Sequence, residues 1–273
     1  MKNTSIFLLF LATIFTACEE KNITNTETKT AIVAGYLFAG QPCDSIRITQ
    51  ATSYGGSDSL TVTLDALVVT LSDGDQTFTL TPVGEGYYRN PNLVIESGKT
   101  YTMRFEHNGE TVSAQTFAPF RRECAISDTL IEMQKIEFGN GPPTGGFTTV
   151  DPIELSWDNP EGDYYYVVVQ NIEDDPEYVN EIFKEQDNPF RNFRFISEPQ
   201  VMDFYNIDPR REIEQFGTHR AILFRVNPEY AALYNVSGAS TLSITQQPTN
   251  VENGLGILTG VASDTLYFKV KKI

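Results

Sequence analysis

Apolar and polar residues alternate along much of the chain after residue 30, with a period of two residues. In the segment TYTMRFE the apolar residues Tyr101, Met103 and Phe105 fall on one face. Such alternation is typical of a β-strand with one buried face, because successive side chains point to opposite faces of a strand. The dipeptide Asn108-Gly109 follows, and it predicts a tight hairpin to the next alternating segment, ETVSAQTF.

A second hairpin signal lies earlier in the same region. The segment ALVVTLS alternates in the same way, and Asp73-Gly74 separates it from QTFTL. Several short strands with such turns between residues 31 and 118 predict an antiparallel β-sandwich, of immunoglobulin-like or prealbumin-like type. We therefore predict an N-terminal β-sandwich domain over residues 31–120.

A second series of strands follows a Gly- and Pro-rich loop at residues 138–149. IELSW places Ile153, Leu155 and Trp157 on one face, and YYYVVVQNI begins a continuous apolar run at residue 164. Such a run is typical of a strand buried on both faces. The tyrosines at 164–166 are accordingly interpreted as core packing rather than as an exposed platform for sugar rings.

We assign residues 121–273 to a C-terminal β-rich domain, which makes the chain all-β with two β-sandwich domains. Residues 173–218 mix acidic clusters with irregular patterning and predict an insertion of long loops over the second core. NPEYAALYN predicts a short helix, with Asn227 as its cap and Pro228 at the first helical position.

The first residues have the pattern of a secretory signal peptide. Lys2 is followed by an apolar stretch at residues 6–15 and then by small residues up to Ala17. The apolar stretch is shorter than the roughly 20 residues that a membrane-spanning helix needs. Small residues before Cys18 resemble the lipobox of bacterial lipoproteins, which implies cleavage between Ala17 and Cys18 and a lipid, such as palmitate, on the cysteine. An ordinary signal peptide over residues 1–17 is the alternative.

The segment after Cys18, EEKNITNTETKT, has a single large apolar residue, Ile23, and cannot bury enough surface to fold. Residues 18–30 therefore predict a flexible tether that reaches about 40 Å when extended. Glu19 and Glu20 resemble the surface-export signal of Bacteroidota lipoproteins, and the alternative is an ordinary polar tether. The predicted location is the outer membrane, lipid-anchored and facing the cell exterior.

The net charge of -16 argues against nucleic acid as a partner, because an acidic chain repels phosphate backbones. The two histidines, His107 and His219, are too few for most imidazole-based metal sites, and no metal or cofactor is predicted. Besides Cys18, the cysteines are Cys43 and Cys124. They either form a disulfide, worth roughly 4 kcal/mol in the chain-entropy model, or remain two buried thiols.

The acidic pairs also lack the spacing of a metal loop. Asp73 with Asp75, and the acidic run at 173–175, do not match the pattern of a calcium-binding loop and are interpreted as solvated turns. GEG at 84–86 and GLG at 254–256 are interpreted as turns at strand ends. No nucleophile or zinc motif of the common enzyme classes is present, so we do not expect an enzyme.

The C-terminal run QQPTNVENGLGILTGVASDTLYFKV resembles a family of Bacteroidota outer-membrane lipoproteins known as domain of unknown function 4249. The matching residues are Pro248, Asn250, Val251, Asn253, Gly254, Gly256 and Gly260. The segments AIVAGYLFAGQPCDSIRIT, GYY and SGKTYTMRFEHNGETVSAQT are similar to it as well. The resemblance implies a lipid-anchored β protein in two parts, often associated with TonB-dependent transporters. It carries over no catalytic residue.

The leading hypothesis is an outer-membrane, surface-exposed lipoprotein that acts as an accessory binding subunit of a TonB-dependent nutrient uptake system. A stand-alone surface binder of glycan or peptide is the alternative, with residues 173–218 and exposed tyrosines as its contact surface. A hydrolase that uses two carboxylates is a third hypothesis, since such an enzyme needs no longer motif.

Overall fold

A computed structural model describes residues 29–51, 62–136, 150–180, 194–234 and 248–273. Within these ranges the chain is almost entirely β, as predicted. The signal peptide with Ala17 and Cys18, nearly all of the tether, and the loop at 138–149 lie outside the described residues.

The N-terminal strands form an antiparallel sandwich. One sheet has the order β1-β2-β7-β6 and the facing sheet the order β9-β8-β4-β5. This is the A-B-E-D and G-F-C-C′ order of an immunoglobulin-like sandwich, so the structure selects that alternative over the prealbumin-like one. The strands are β1 (Ala31–Phe38), β2 (Pro42–Gln50), β3 (Val62–Thr63), β4 (Thr70–Ser72), β5 (Thr77–Thr79), β6 (Thr81–Gly84), β7 (Tyr87–Val94), β8 (Thr100–His107) and β9 (Glu110–Phe117).

Both predicted hairpins are confirmed. The turn between β8 and β9 places Asn108 at a φ of 54° and Gly109 at 82°, the positive values that a two-residue hairpin loop requires. The apolar face of β8 packs in the first hydrophobic core, with Tyr101, Met103 and Phe105 all buried. Alternation along the sequence therefore predicted the inner face of this strand correctly.

The C-terminal strands form a second sandwich. Here β10-β12-β16 faces β14-β13-β17-β19, while β11 lies parallel to β19. The remaining elements of the chain are β10 (Ala125–Ile126), β11 (Leu130–Met133), β12 (Ile153–Ser156), β13 (Tyr164–Asn171), β14 (Arg194–Ile196), β15 (Gln200–Val201), β16 (Phe204–Ile207), α1 (Pro209–Glu212), β17 (Gly217–Val226), α2 (Pro228–Ala232), β18 (Val251–Glu252) and β19 (Leu255–Lys272). Of these, β18 pairs with β9 and belongs to the first sandwich.

The last strand, β19, joins the two sandwiches into one long sheet. It has 18 residues, of which 255–261 pair in parallel with β1 and 261–270 pair antiparallel with β17. The predicted boundary at residue 120 places all of β19 in the C-terminal domain. The strand also extends the sheet of the N-terminal sandwich, so it belongs to both domains. Among the described residues, the two cores share no side chain. Val251 and Leu258, which lie in the predicted C-terminal domain, pack in the first core.

Strand β13 lies inside the long sheet, between β14 and β17, as its apolar run predicted. Tyr165, Val167 and Val169 pack in the second core, and Tyr166 and Val168 are buried on the opposite face. The predicted core residues of IELSW are buried as well.

Candidate functional site

The long sheet has an inner face, which packs on the two smaller sheets, and an outer face, which α2 covers in part. Even-numbered residues of β19, such as Leu258 and Phe268, belong to the two inner cores. Odd-numbered residues point the other way, and Val261 packs in a third cluster together with Tyr166 and Val226. This outer face carries the most distinctive group of side chains in the described part of the chain.

Five aromatic side chains meet on the outer face, and we call them the tyrosine cluster: Tyr36, Tyr166, Phe224, Tyr230 and Tyr234. The ring of Tyr166 stacks on Phe224 at 4.8 Å and on Tyr230 at 5.6 Å between centroids. Tyr230 also contacts Tyr36 edge-on at 6.2 Å and Tyr234 at 5.6 Å. Apart from Tyr166, which is buried, each member of the cluster is half-buried. The cluster therefore presents ring edges and hydroxyls at the surface.

The hydroxyl groups of Tyr36, Tyr166 and Tyr230 are neutral. The Tyr230 and Tyr234 hydroxyls lie 3.2 Å apart and share a hydrogen bond. Burial raises the pKa of Tyr166 to about 12 and also raises the pKa values of Tyr36 and Tyr230. These tyrosines stay protonated at physiological pH, so they suit contact and hydrogen bonding rather than nucleophilic chemistry.

Helix α2 begins at Pro228, as predicted, but Asn227 does not cap it with its side chain. The Asn227 amide instead donates to the Thr116 hydroxyl at 2.9 Å and to the Phe117 carbonyl at 2.8 Å. Thr116 in turn donates to Glu229 at 2.8 Å. These bonds tie the helix to the end of β9, which fixes Tyr230 over the outer face.

A row of polar side chains crosses the same face further along β19. Tyr267, Arg220, Gln170 and Arg194 are cross-strand neighbours on β19, β17, β13 and β14, and we call them the basic row. The Arg220 Nε and Nη2 atoms donate to the Gln170 Oε1 atom at 3.1 and 2.8 Å. Arg194 is exposed, and Tyr267 is 56% exposed.

Of the two alternatives for Cys43 and Cys124, the structure has the unpaired one, since both are free thiols. Cys43 lies in the first core, whereas Cys124 packs at the edge of the second. Burial raises the pKa of Cys43 to about 12 and that of Cys124 to about 11, so both thiols are poor nucleophiles.

The acidic residues lie in turns, as predicted, but the Asp73 side chain is only 8% exposed and is therefore not solvated. The Asp73 Oδ1 atom accepts hydrogen bonds from the backbone of Asp75 and Gln76, and its Oδ2 atom pairs with Lys99 at 2.8 Å. Glu173 accepts a bond from the Thr218 N–H at 2.8 Å. Among the described residues, no three His, Cys, Asp or Glu side chains lie close enough to hold a metal ion.

The two histidines lie apart from both surface features. His219 is buried and stacks on Phe268 at 5.2 Å, and burial lowers its pKa to about 4. The His107 Nε2 atom lies 2.8 Å from the Lys29 carbonyl, next to the β8–β9 turn. Glu173 is near enough to His219 to oppose the effect of burial on its pKa, but burial prevails.

The interpretation of the tyrosines at 164–166 as core packing is confirmed for two of the three. Tyr165 is fully buried and Tyr166 is 9% exposed, because β13 is flanked by strands and covered on both faces. The predicted insertion at 173–218 is partly regular, since it holds β14, β15, β16 and α1, and residues 181–193 lie outside the described ranges.

Most residues of the outer face were not singled out from the sequence. A signal was present, because alternation in HRAILFRV places Arg220, Ile222 and Phe224 on one face, and DTLYFKVKK places Tyr267 with Lys269. The pattern did not reveal that these faces lie side by side, since β17 and β19 pair only in the folded chain.

Within the described residues, no helix is long and apolar enough to cross a membrane. No curated protein matches the chain. Among solved structures, titin domains A168-A170 are similar, with 9% identity and a TM-score of 0.20, over 73% of this chain and 61% of that one. The chain thus spans less than two thirds of that titin fragment. Residues 19–266 match the profile of the family described as Domain of unknown function (DUF4249), and the chain therefore belongs to that family.

Proposed function

We propose that the chain is the head of a lipid-anchored outer-membrane lipoprotein that faces the cell exterior and acts as an accessory interaction subunit of a TonB-dependent nutrient uptake system. The observation that carries this proposal is the outer face of the long sheet, where four half-buried aromatic rings form one connected cluster with the buried Tyr166. Tyrosine and arginine are enriched at protein interfaces, and this face holds both.

The interaction role also agrees with the chemistry of the described residues. The hydroxyls of Tyr36, Tyr166 and Tyr230 are neutral, the pKa values of the two thiols are raised, and burial keeps His219 neutral. Such groups bind rather than react. The anchor follows from the predicted lipidation of Cys18 and the tether at 18–30, and the transporter partner follows from the family resemblance.

The proposal is tested by recovering the tagged, full-length protein from membranes in mild detergent after crosslinking. We expect a TonB-dependent transporter to be recovered with it. The variant Ile196→Asp places a charge on the outer face, where Ile196 is 47% exposed beside Val168, and we expect it to abolish recovery of the partner. Val68→Asp is the matched control, because Val68 is 73% exposed on the first sandwich.

Recovery of the protein alone would contradict the transporter role. If the wild type then bound a glycan or peptide on an array, and Ile196→Asp removed that binding, the stand-alone binder would be the better description. Equal loss of partner in both variants would contradict the assignment of the outer face.

The proposed lipid anchor and the proposed location at the cell surface are tested separately. We expect palmitate to label the wild type and not Cys18→Ala, and we expect protease added to intact cells to degrade the head. Labelling that survives in Cys18→Ala would contradict the anchor, and a head protected until the outer membrane is opened would contradict the outward orientation.

A further inference from the structure

The outer face of the second sandwich has a charge opposite to that of the whole chain. The sequence carries a net charge of -16, yet the strands β13, β14, β17 and β19 contain a single carboxylate, Asp264. Asp264 points to the inner face, where its Oδ1 atom lies 2.7 Å from Arg121. The outer face of the same strands carries four basic residues: Arg194, Arg220, Lys269 and Lys271.

The charges of the basic row are not neutralised within the described part of the chain. Arg220 is held by the neutral amide of Gln170, which orients its guanidinium without compensating the charge. No carboxylate of the described residues lies within ion-pair distance of Arg194 or Arg220. Nearby carboxylates are already engaged, since Glu132 pairs with Lys271 at 2.9 Å and Glu173 accepts the Thr218 N–H.

The basic row borders an apolar area. Strands lie about 4.8 Å apart, so the four residues of the row span about 14 Å across the sheet. Tyr166 and Gln170 are four residues apart on β13, which is about 13 Å along the strand. Between them lie Val168, Ile222 and the exposed Ile196. An apolar centre with a charged border is the usual arrangement of a protein interface.

We propose that this face docks an acidic segment of a partner protein. Carboxylates of the partner pair with Arg194 and Arg220, while its apolar side chains cover Ile196, Ile222 and the tyrosine cluster. The inference rests on the proposed function, because it takes the partner to be a protein, and it adds the chemistry of the partner's surface.

Two observations favour a protein over other anionic partners. The ring of Tyr166 already stacks on Phe224 and Tyr230, so the chain itself occupies ring faces that a sugar would need. The basic row also lies far from the tether. Ile32, next to the tether, pairs with Leu255, and Tyr267 lies twelve residues further along β19, which is about 40 Å. The row is therefore remote from the proposed anchor, which argues against the lipid surface as its partner.

The test uses the full-length Cys18→Ala protein, which carries no acyl chain that could insert into vesicles and needs no detergent. It measures binding to poly-L-glutamate, to polygalacturonate and to phosphatidylglycerol vesicles at low and high salt. Because the whole chain is acidic, binding of a polyanion requires a local basic surface. The double variant Arg194→Gln/Arg220→Gln is compared with Arg89→Gln/Arg104→Gln, which removes the same charge from two exposed arginines elsewhere.

We expect salt-sensitive binding of poly-L-glutamate that weakens about tenfold in the Arg194/Arg220 variant, as the loss of two solvent-accessible charge pairs with the ligand implies. The Arg89/Arg104 control should stay within about twofold of the wild type. Tighter binding of polygalacturonate or of the vesicles would overturn the inference in favour of a glycan or a membrane surface. Equal weakening in the two double variants, or no binding of poly-L-glutamate, would also overturn it.

The same variants separate this inference from the proposed function. If the Arg194/Arg220 variant recovers the transporter as well as the wild type does at every salt concentration, while Ile196→Asp does not, the acidic partner is wrong and the proposed function stands. If the wild type recovers no transporter, the proposed function fails, and the poly-L-glutamate measurement alone decides the chemistry of the basic row.

Discussion

The carbonyl oxygen of Val33 lies 2.0 Å from the position that a Cβ atom would occupy at Gly256. The two residues are register partners in the parallel pairing of β1 and β19, and Gly256 has a φ of 89°. Gly256→Ala therefore combines a backbone clash with an unfavourable conformation. We expect it to lower the free energy of unfolding by about 3 kcal/mol, as measured by urea denaturation.

Gly109→Ala is the control for Gly256→Ala. Gly109 also has a positive φ, of 82°, but a Cβ atom there meets no atom within 4 Å. Its expected cost is about 1 kcal/mol, from conformation alone. Equal losses in the two variants would contradict the view that close contact between β1 and β19 makes glycine necessary at this position.

The ion pair of Asp73 and Lys99 makes stability depend on pH. The hydrogen bond from Lys99 lowers the pKa of Asp73 to about 2, from an ordinary value of 3.8. A carboxyl group with a lowered pKa in the folded state contributes stability that is present above pH 4 and is lost as the pH falls toward 2. We expect Asp73→Asn to be less stable than the wild type at pH 7 and the difference to shrink through this window.

Urea denaturation from pH 7 down to pH 2 measures this difference. Asp75→Asn serves as the control, because the Asp75 side chain is exposed and in the same turn. A constant difference between Asp73→Asn and the wild type across the window would exclude the Lys99 pair as its cause.

The two thiols of the head should be free and slow to react. Thiol titration of the unfolded Cys18→Ala protein without reductant should detect both Cys43 and Cys124, since the structure has them unpaired. In the folded protein at pH 7 we expect Cys124 to be alkylated slowly and Cys43 more slowly still, because Cys43 is the more deeply buried. A protein with no titratable thiol until reductant is added would show that the disulfide forms after all.

Asp264 links β19 to the segment that connects the two sandwiches, and this link stabilises the fold. Its Oδ2 atom accepts the Cys124 N–H at 2.8 Å, and Arg121 pairs with its Oδ1 atom. Asp264→Ala leaves the Cys124 N–H without this acceptor, and we expect a loss of about 2 kcal/mol in the free energy of unfolding. Asp264→Asn retains an acceptor oxygen and should lose less. Unchanged urea midpoints in both variants would contradict this role.

Local signals in the sequence predicted those parts of the fold that depend on neighbouring residues. Alternation in TYTMRFE gave the inner face of β8, and Asn108-Gly109 gave its hairpin, because both are set within a few residues. The short strands within 173–218 escaped prediction, since β14, β15 and β16 have only two to four residues each, too few to show a period.

Features that depend on distant residues could not be predicted in the same way. The pairing of β1 with β19 joins segments at opposite ends of the chain, and no local pattern encodes such a parallel register. The candidate interface was hidden for a related reason. Alternation placed Arg220 with Phe224 and Tyr267 with Lys269, but the outer face arises only when β17 and β19 lie side by side.

The parallel pairing of β1 and β19 also determines how the head would transmit mechanical load. A pull from the tether acts on the N-terminal end of β1, whereas a partner on the second sandwich pulls toward the C-terminal end of β19. The two forces oppose each other along the strands, so the seven register pairs from Ile32 and Leu255 to Phe38 and Val261 are loaded together in shear. The hydrogen bonds between two strands loaded in this way resist extension together instead of breaking one after another. Such resistance suits a domain that connects the proposed anchor to the proposed partner.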